Sequence, residues 1–345
     1  MSFRSWVTII TLILLAGVVY FGRHEIFNAF QLLGRVNPWI LALIIPVQLA
    51  SYYATGGMIF SYLRSKGNLK DTSHWQMTRM ALELNFVNHI IPSGGAAGFS
   101  YLGWVLGRHG VRAGRATMAQ IVRFTMGFSA FITILFFAVI FLALDHKVNG
   151  IVVAISVGLT IAAILLIVLS VFLIGSKKRL DWFSQWLSAV VSGVVRFFTR
   201  GKKPHILHVD TLQPFFYELH DDFVQIKADK RILMRPFLWG LIMNIFDVVL
   251  LAIAFTALGF WVNPATLFVA FGVSSIASVF SVTPGGAGVY EAIMVAFLAS
   301  AGVPADVAIA GTLLARVSLL LGTIIFGYFF YQLTIVKYGK RPTNS

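Results

Sequence analysis

The chain contains no cysteine. Disulfides, thiolate metal ligands and cysteine nucleophiles are therefore excluded. Charge is also scarce: Asp, Glu, Lys and Arg together make up 12% of the residues, with 13 acids against 27 bases. The histidines are scattered and form no His-Glu-x-x-His pair, which argues against a metal site. No Gly-x-Ser-x-Gly elbow and no Gly-Lys-Ser/Thr phosphate loop occurs, so serine-hydrolase chemistry and ATP-driven pumping lack their usual machinery. An enzyme acting on lipid headgroups would need a nucleophile or a metal cluster, and neither is found. The expectation is a non-enzyme that needs no cofactor.

Apolar residues are abundant, at 58% of the chain. That rules out an ordinary soluble domain and fits a polytopic helical membrane protein. The net charge of +14 invites a nucleic-acid reading. The bases instead lie in short segments between apolar runs, which is the positive-inside pattern and suits anionic lipid headgroups. No nucleic-acid partner is expected.

A span needs about 20 apolar residues. On that measure about eight transmembrane helices are expected in one domain, 1–345. They lie near 5–22, 38–63, 74–91, 116–144, 150–174, 236–260, 265–282 and 305–335. The first is read as a retained span, because no small-residue cleavage site follows it. Ile26, Phe27, Phe30 and Leu33 share a face suited to an interfacial helix. The interval 176–235 is polar and basic. It carries two amphipathic patterns, one from Phe183 to Phe198 and one from Leu212 to Ile226. It reads as a cytoplasmic linker on the membrane surface. The basic segments place the N-terminus, this linker and the C-terminus in the cytoplasm, with the inner membrane as the location.

Two stretches interrupt the apolar pattern. Thr283-Pro-Gly-Gly-Ala-Gly288 lies between apolar runs and is followed by Glu291. Pro284 lacks a donor, and Gly285, Gly286 and Gly288 free the backbone, so a helix breaks there. Pro92-Ser-Gly-Gly95 breaks the third span in the same way. Broken backbone survives at membrane depth only inside protein or beside water. The two breaks head matching units, 74–144 and 265–336. Each has a short helix after the break, then a turn (Gly110-Val-Arg-Ala113 or Gly302-Val-Pro-Ala305), then a long span with an embedded arginine, Arg123 or Arg316. The charge pattern runs the third and seventh spans in opposite senses. The expectation is therefore an all-α integral membrane protein with two re-entrant hairpins in inverted repeats, as in many secondary transporters.

These residues carry a family resemblance. Pro284-Gly-Gly-Ala-Gly288 with Glu291, the turn at Gly302, Arg316, the break at Pro92 and the basic middle segment resemble the flippase-like family of the lysylphosphatidylglycerol synthase transmembrane region. Ser100 stands where that family often has an acid after the glycines. The resemblance implies a protein that moves or binds a phospholipid between leaflets: an anionic or modified phospholipid, or a polyprenyl-phosphate lipid. The synthases' own cargo, aminoacylated phosphatidylglycerol, is not carried over, because no soluble aminoacyl-transfer domain is expected within these 345 residues.

The candidate site follows from the breaks. Half-helix N-termini at Gly94, Gly95, Gly285, Gly286 and Gly288 favour anions. Arg123 and Arg316 suit phosphate, because the guanidinium forks around two oxygens. Glu291 gates the site or pairs with an amine; the competing reading is a structural ion pair with Arg316. Asn88 lines a cavity or satisfies the break at Pro92. Asp247 binds a coupling proton or cation, or pairs with an arginine. Arg79 and Glu83 are read as a local i,i+4 pair. The alternative function is a lipid-binding scaffold or partner subunit of a lipid or envelope enzyme. The reading leaves room for a homo-oligomer.

Overall fold

The computed structural model describes residues 34–90, 96–144, 223–279 and 288–338, with isolated positions in 150–186 and at 217, 220 and 221. The described residues form helices and no strands. Among the described residues, four helical stretches are long and apolar enough to cross a membrane: Pro38–Ser65, Ala113–Ala138, Lys230–Ala257 and Ala305–Lys337. The expected first span, most of the linker and both proline-glycine breaks (92–95 and 284–287) lie outside the described residues.

Some helices begin where a short polar side chain accepts from the free N–H groups of the first turn. The first, α1 (Pro38–Ala42), is capped by Asn37, whose Oδ1 accepts from Trp39 and Ile40. The expected span over 38–63 is interrupted at Leu43, and α2 runs over Ile44–Ser65. Pro46 supplies the cause: its ring excludes the carbonyl of Ala42 from a regular helix. Next comes α3 (His74–Ile90), entered through a reciprocal box in which Ser73 and Gln76 bond each other's backbone N–H.

Across the first break lies α4 (Ala96–Arg108), followed by α5 (Ala113–Leu144). A 3-10 turn over Lys230–Leu233, capped by Asp229, leads into α6 (Met234–Ala257). The last three helices are α7 (Pro264–Val279), α8 (Val289–Ser300) and α9 (Ala305–Tyr338).

The turns after α4 and α8 are built alike. Val111 N–H reaches back to Leu106 O, and Val303 N–H to Leu298 O, at 3.1 and 3.0 Å. Gly110 and Gly302 take φ of 75° and 90°, which side chains resist. Both turns therefore end their helix with the same C-terminal motif.

Packing places α2 against α6 at the centre. Around that pair, α3 packs on α4 and α9, while α7 packs on α8 and α5. One core cluster joins α5 to α9, with Phe131 stacked on Phe268 at 4.8 Å and Phe255, Met294 and Leu298 buried. The other joins Phe60, Tyr62, Leu102, Leu106 and Met118. Leu321, Ile325 and Phe329 on α9 and Phe136 and Phe137 on α5 stay exposed, as lipid-facing side chains would.

The basic turns share one end. Arg115 donates to Asn68 at 3.1 Å, and Lys66 donates to Gln225 at 2.7 Å. At the other end, Asn37 N–H bonds Ala257 O, and Val36 packs with Leu258 and Ala310.

Candidate functional site

Helix α5 starts at the basic end, and Arg123 lies ten residues in, roughly 15 Å at 1.5 Å per residue. That is about half the thickness of a bilayer core. Arg123 lines a cavity of about 200 Å³ between α2, α5, α6 and α7. Its guanidinium lies against the Phe124 ring at 4.3 Å, and its Nε is buried without an acceptor. The expected phosphate ligand Arg123 thus lines a cavity.

Asp247 lines the same cavity from α6. Ser51 on α2 donates to its Oδ1 at 2.7 Å. Arg123 and Asp247 thus face one space, yet no ion pair joins them among the described residues. Asn244, one turn before Asp247, is spent on the α5–α6 crossing: its Nδ2 donates to Gly240 O and Gly127 O. The remaining walls are largely apolar, with Met58, Phe128, Phe131 and Phe271 prominent, and Ser275 adds a hydroxyl.

Helices α8 and α9 build a different arrangement. Arg316 lies eleven residues into α9, roughly 16 Å from its start. Its Nε donates to Glu291 Oε1 at 2.8 Å. The other carboxylate oxygen accepts from Gly288 N–H at 2.6 Å, which caps α8 at the edge of the break. Gly288 holds φ at 89° there. Arg316 also lies over the Tyr290 ring at 4.6 Å. Tyr290 is buried, and neither it nor the Glu291–Arg316 pair lines the cavity that Arg123 and Asp247 share.

Asn88 is engaged by backbone. Its Oδ1 accepts from Gly98 N–H at 3.1 Å, so it caps α4 from across the break. Of the other expected site residues, Gly94, Gly95, Gly285, Gly286, Pro92 and Pro284 lie outside the described residues.

Sequence reasoning missed several partners. Glu83 is only 1% exposed and accepts from Tyr101 on α4 and Thr334 on α9, each at 2.8 Å. Arg79 approaches it at 3.7 Å, so the local pair is one part of a junction of three helices. Gln48 donates to Leu319 O at 2.8 Å and to Thr323, and Tyr52 bonds Thr323 as well. These are polar residues on apolar helices. Such residues commonly bridge helices in lipid, but spacing alone did not reveal which helix each would meet.

A family model described as the lysylphosphatidylglycerol synthase TM region matches residues 6–327. A relative described as a UPF0104 membrane protein, from Methanothermobacter thermautotrophicus, is 24% identical over 169 residues. That match covers 49% of this chain and 44% of the relative, so less than half of the relative's length is spanned.

Proposed function

Because the chain belongs to the family of the lysylphosphatidylglycerol synthase transmembrane region, we propose that it carries a phospholipid between membrane leaflets without ATP hydrolysis. The cargo is anionic or amine-modified, or a polyprenyl-phosphate lipid. One observation carries this reading: Arg123 and Asp247 line one cavity at membrane depth and do not pair. An unpaired ionisable group there costs about 2.5–3.5 kcal/mol on insertion scales unless a ligand supplies its counterpart. A phosphate answers Arg123, and an amine or a coupling cation answers Asp247.

The transport scheme is rocking of two inverted units, 74–144 and 265–336, about the α2–α6 pair. Three features support it. The turns at Gly110 and Gly302 repeat bond for bond. Each unit's first arm packs on the other unit's long helix, α3 on α9 and α7 on α5. The long helices start at opposite ends, so Arg123 and Arg316 arrive at similar depth from opposite sides. In this scheme Glu291 and Arg316 lock the second break, and Arg123 meets the cargo. The basic end faces the cytoplasm.

The test is leaflet exchange of fluorescent phosphatidylglycerol in proteoliposomes, read by quenching from outside. A carrier raises the exchanged fraction above that of empty vesicles. A rate equal to empty vesicles at the same protein density sinks the transport reading and leaves a lipid-binding scaffold.

A further inference from the structure

The α2–α6 pair has a second face, and it bears a second cavity. The first cavity lies where α5 and α7 cover the pair. The second lies where α3 covers it, near the basic end, with a volume of about 430 Å³. Gly57 and Trp239 mark the crossing; a Cβ on Gly57 would come within 2.5 Å of the indole. Neither cavity shares a lining residue with the other.

The chemistry of this second space is basic. Arg64 from α2, His74 from α3 and Arg235 from α6 line it, and none of its lining residues is acidic. Arg64 donates to Thr72 O at 2.6 Å and contacts His74 Nε2 at 3.4 Å, while its buried Nε has no acceptor. His74 Nδ1 lies 3.1 Å from the Tyr53 hydroxyl oxygen. A guanidinium can only donate, so Nε2 of a neutral His74 accepts and Nδ1 carries the proton. Nδ1 then donates to Tyr53, whose own O–H is left to point elsewhere. Ser61 and Thr78 donate to carbonyls of their own helices, so they do not compete for an anion as donors. Arg235 has no hydrogen-bond or ion-pair partner among the described residues. His74 and Arg235 stand in the first turns of α3 and α6 and both line the space, so the positive ends of two helices add to its basic character.

We propose that this cavity binds a phosphate ester, held between Arg64 and Arg235 with the Tyr53 hydroxyl as a third donor, at a site peripheral to the transport cavity. Its position at the basic rim suits either a lipid headgroup entering from the adjacent leaflet or a soluble ester of the same chemistry. Phe60, Met77, Leu238 and Trp239 also line the cavity and offer an apolar surface to the carbon skeleton of the ester.

The experiment uses the full chain purified in neutral detergent, in an Arg123→Gln background that removes the cationic group of the central cavity. Thermal unfolding is followed at rising phosphatidylglycerol in phosphatidylcholine, and separately at rising glycerol 3-phosphate against chloride of equal ionic strength. Stabilisation that saturates, and whose half-saturating concentration rises tenfold or more in Arg235→Gln, supports the site. Saturation by phosphatidylglycerol alone identifies a lipid headgroup; equal saturation by glycerol 3-phosphate identifies a soluble ester. Arg64→Gln also loses the bond to Thr72, so Arg235→Gln is the deciding variant. No stabilisation by either probe, or a response untouched by Arg235→Gln, overturns the proposal. Because Arg123 is already replaced, failure here leaves the transport reading standing.

Discussion

Arg316 Nε donates to Glu291 Oε1 at 2.8 Å, and the same carboxylate caps the backbone of α8 through Gly288. Arg123 lies against an aromatic ring and lines a cavity, with no ion pair to an acid among the described residues. The two arginines therefore do different work, and substitution separates them.

Arg316→Met strands Glu291 beside the break, and breaking such a pair costs about 3–5 kcal/mol when it is fully buried, less here because both side chains keep some exposure. The melting temperature in detergent should fall clearly. Arg123→Met removes an unpaired charge and should leave the melting temperature unchanged or raise it. Equal losses in the two variants would show that Arg123 is as structural as Arg316.

Gly288 sits at φ 89° and ψ −51°, a conformation that side chains resist. Gly288→Ala should cost about 1–3 kcal/mol. Gly103, in mid-helix with open space around its Cβ position, provides the control. Gly103→Ala should be neutral or stabilising by about 0.5–1 kcal/mol. Chemical denaturation of the two variants side by side checks the contrast.

Glu83 ties α3 to α4 and α9 through Tyr101 and Thr334. Tyr101→Phe removes one bond to a buried acid and should cost about 1–3 kcal/mol. Thr334→Val should cost a similar amount. Because both act on one carboxylate, the double variant should lose less than the sum of the singles. Strict additivity, measured by thermal unfolding, would mean that the two bonds do not share a hub.

Much of the helical frame was legible in the sequence because long apolar runs, terminal prolines and glycine turns are local signals. Gly110 and Gly302 marked helix ends from their own backbone preferences. The interruption at Leu43 was missed, although Pro46 was in view, because the apolar pattern runs on unbroken across it. The candidate site was legible in part. Arg123 and Asp247 stood out because charge is costly in apolar spans, but their convergence on one cavity depends on how α5 and α6 cross. Asn88 was an open choice between cavity and cap, and only the position of Gly98 across the break shows the bond it makes. The basic cavity at Arg64 and Arg235 had no sequence signal at all, since its residues come from three helices and each alone reads as a surface charge.

Leaflet exchange by Arg123→Gln proteoliposomes tests the central claim most directly. A guanidinium bond to a charged group is worth about 1.5–3 kcal/mol, so exchange of fluorescent phosphatidylglycerol should slow by roughly 10- to 100-fold while the protein melts as the parent does. Exchange at the parental rate from equally folded protein would contradict a headgroup held by Arg123.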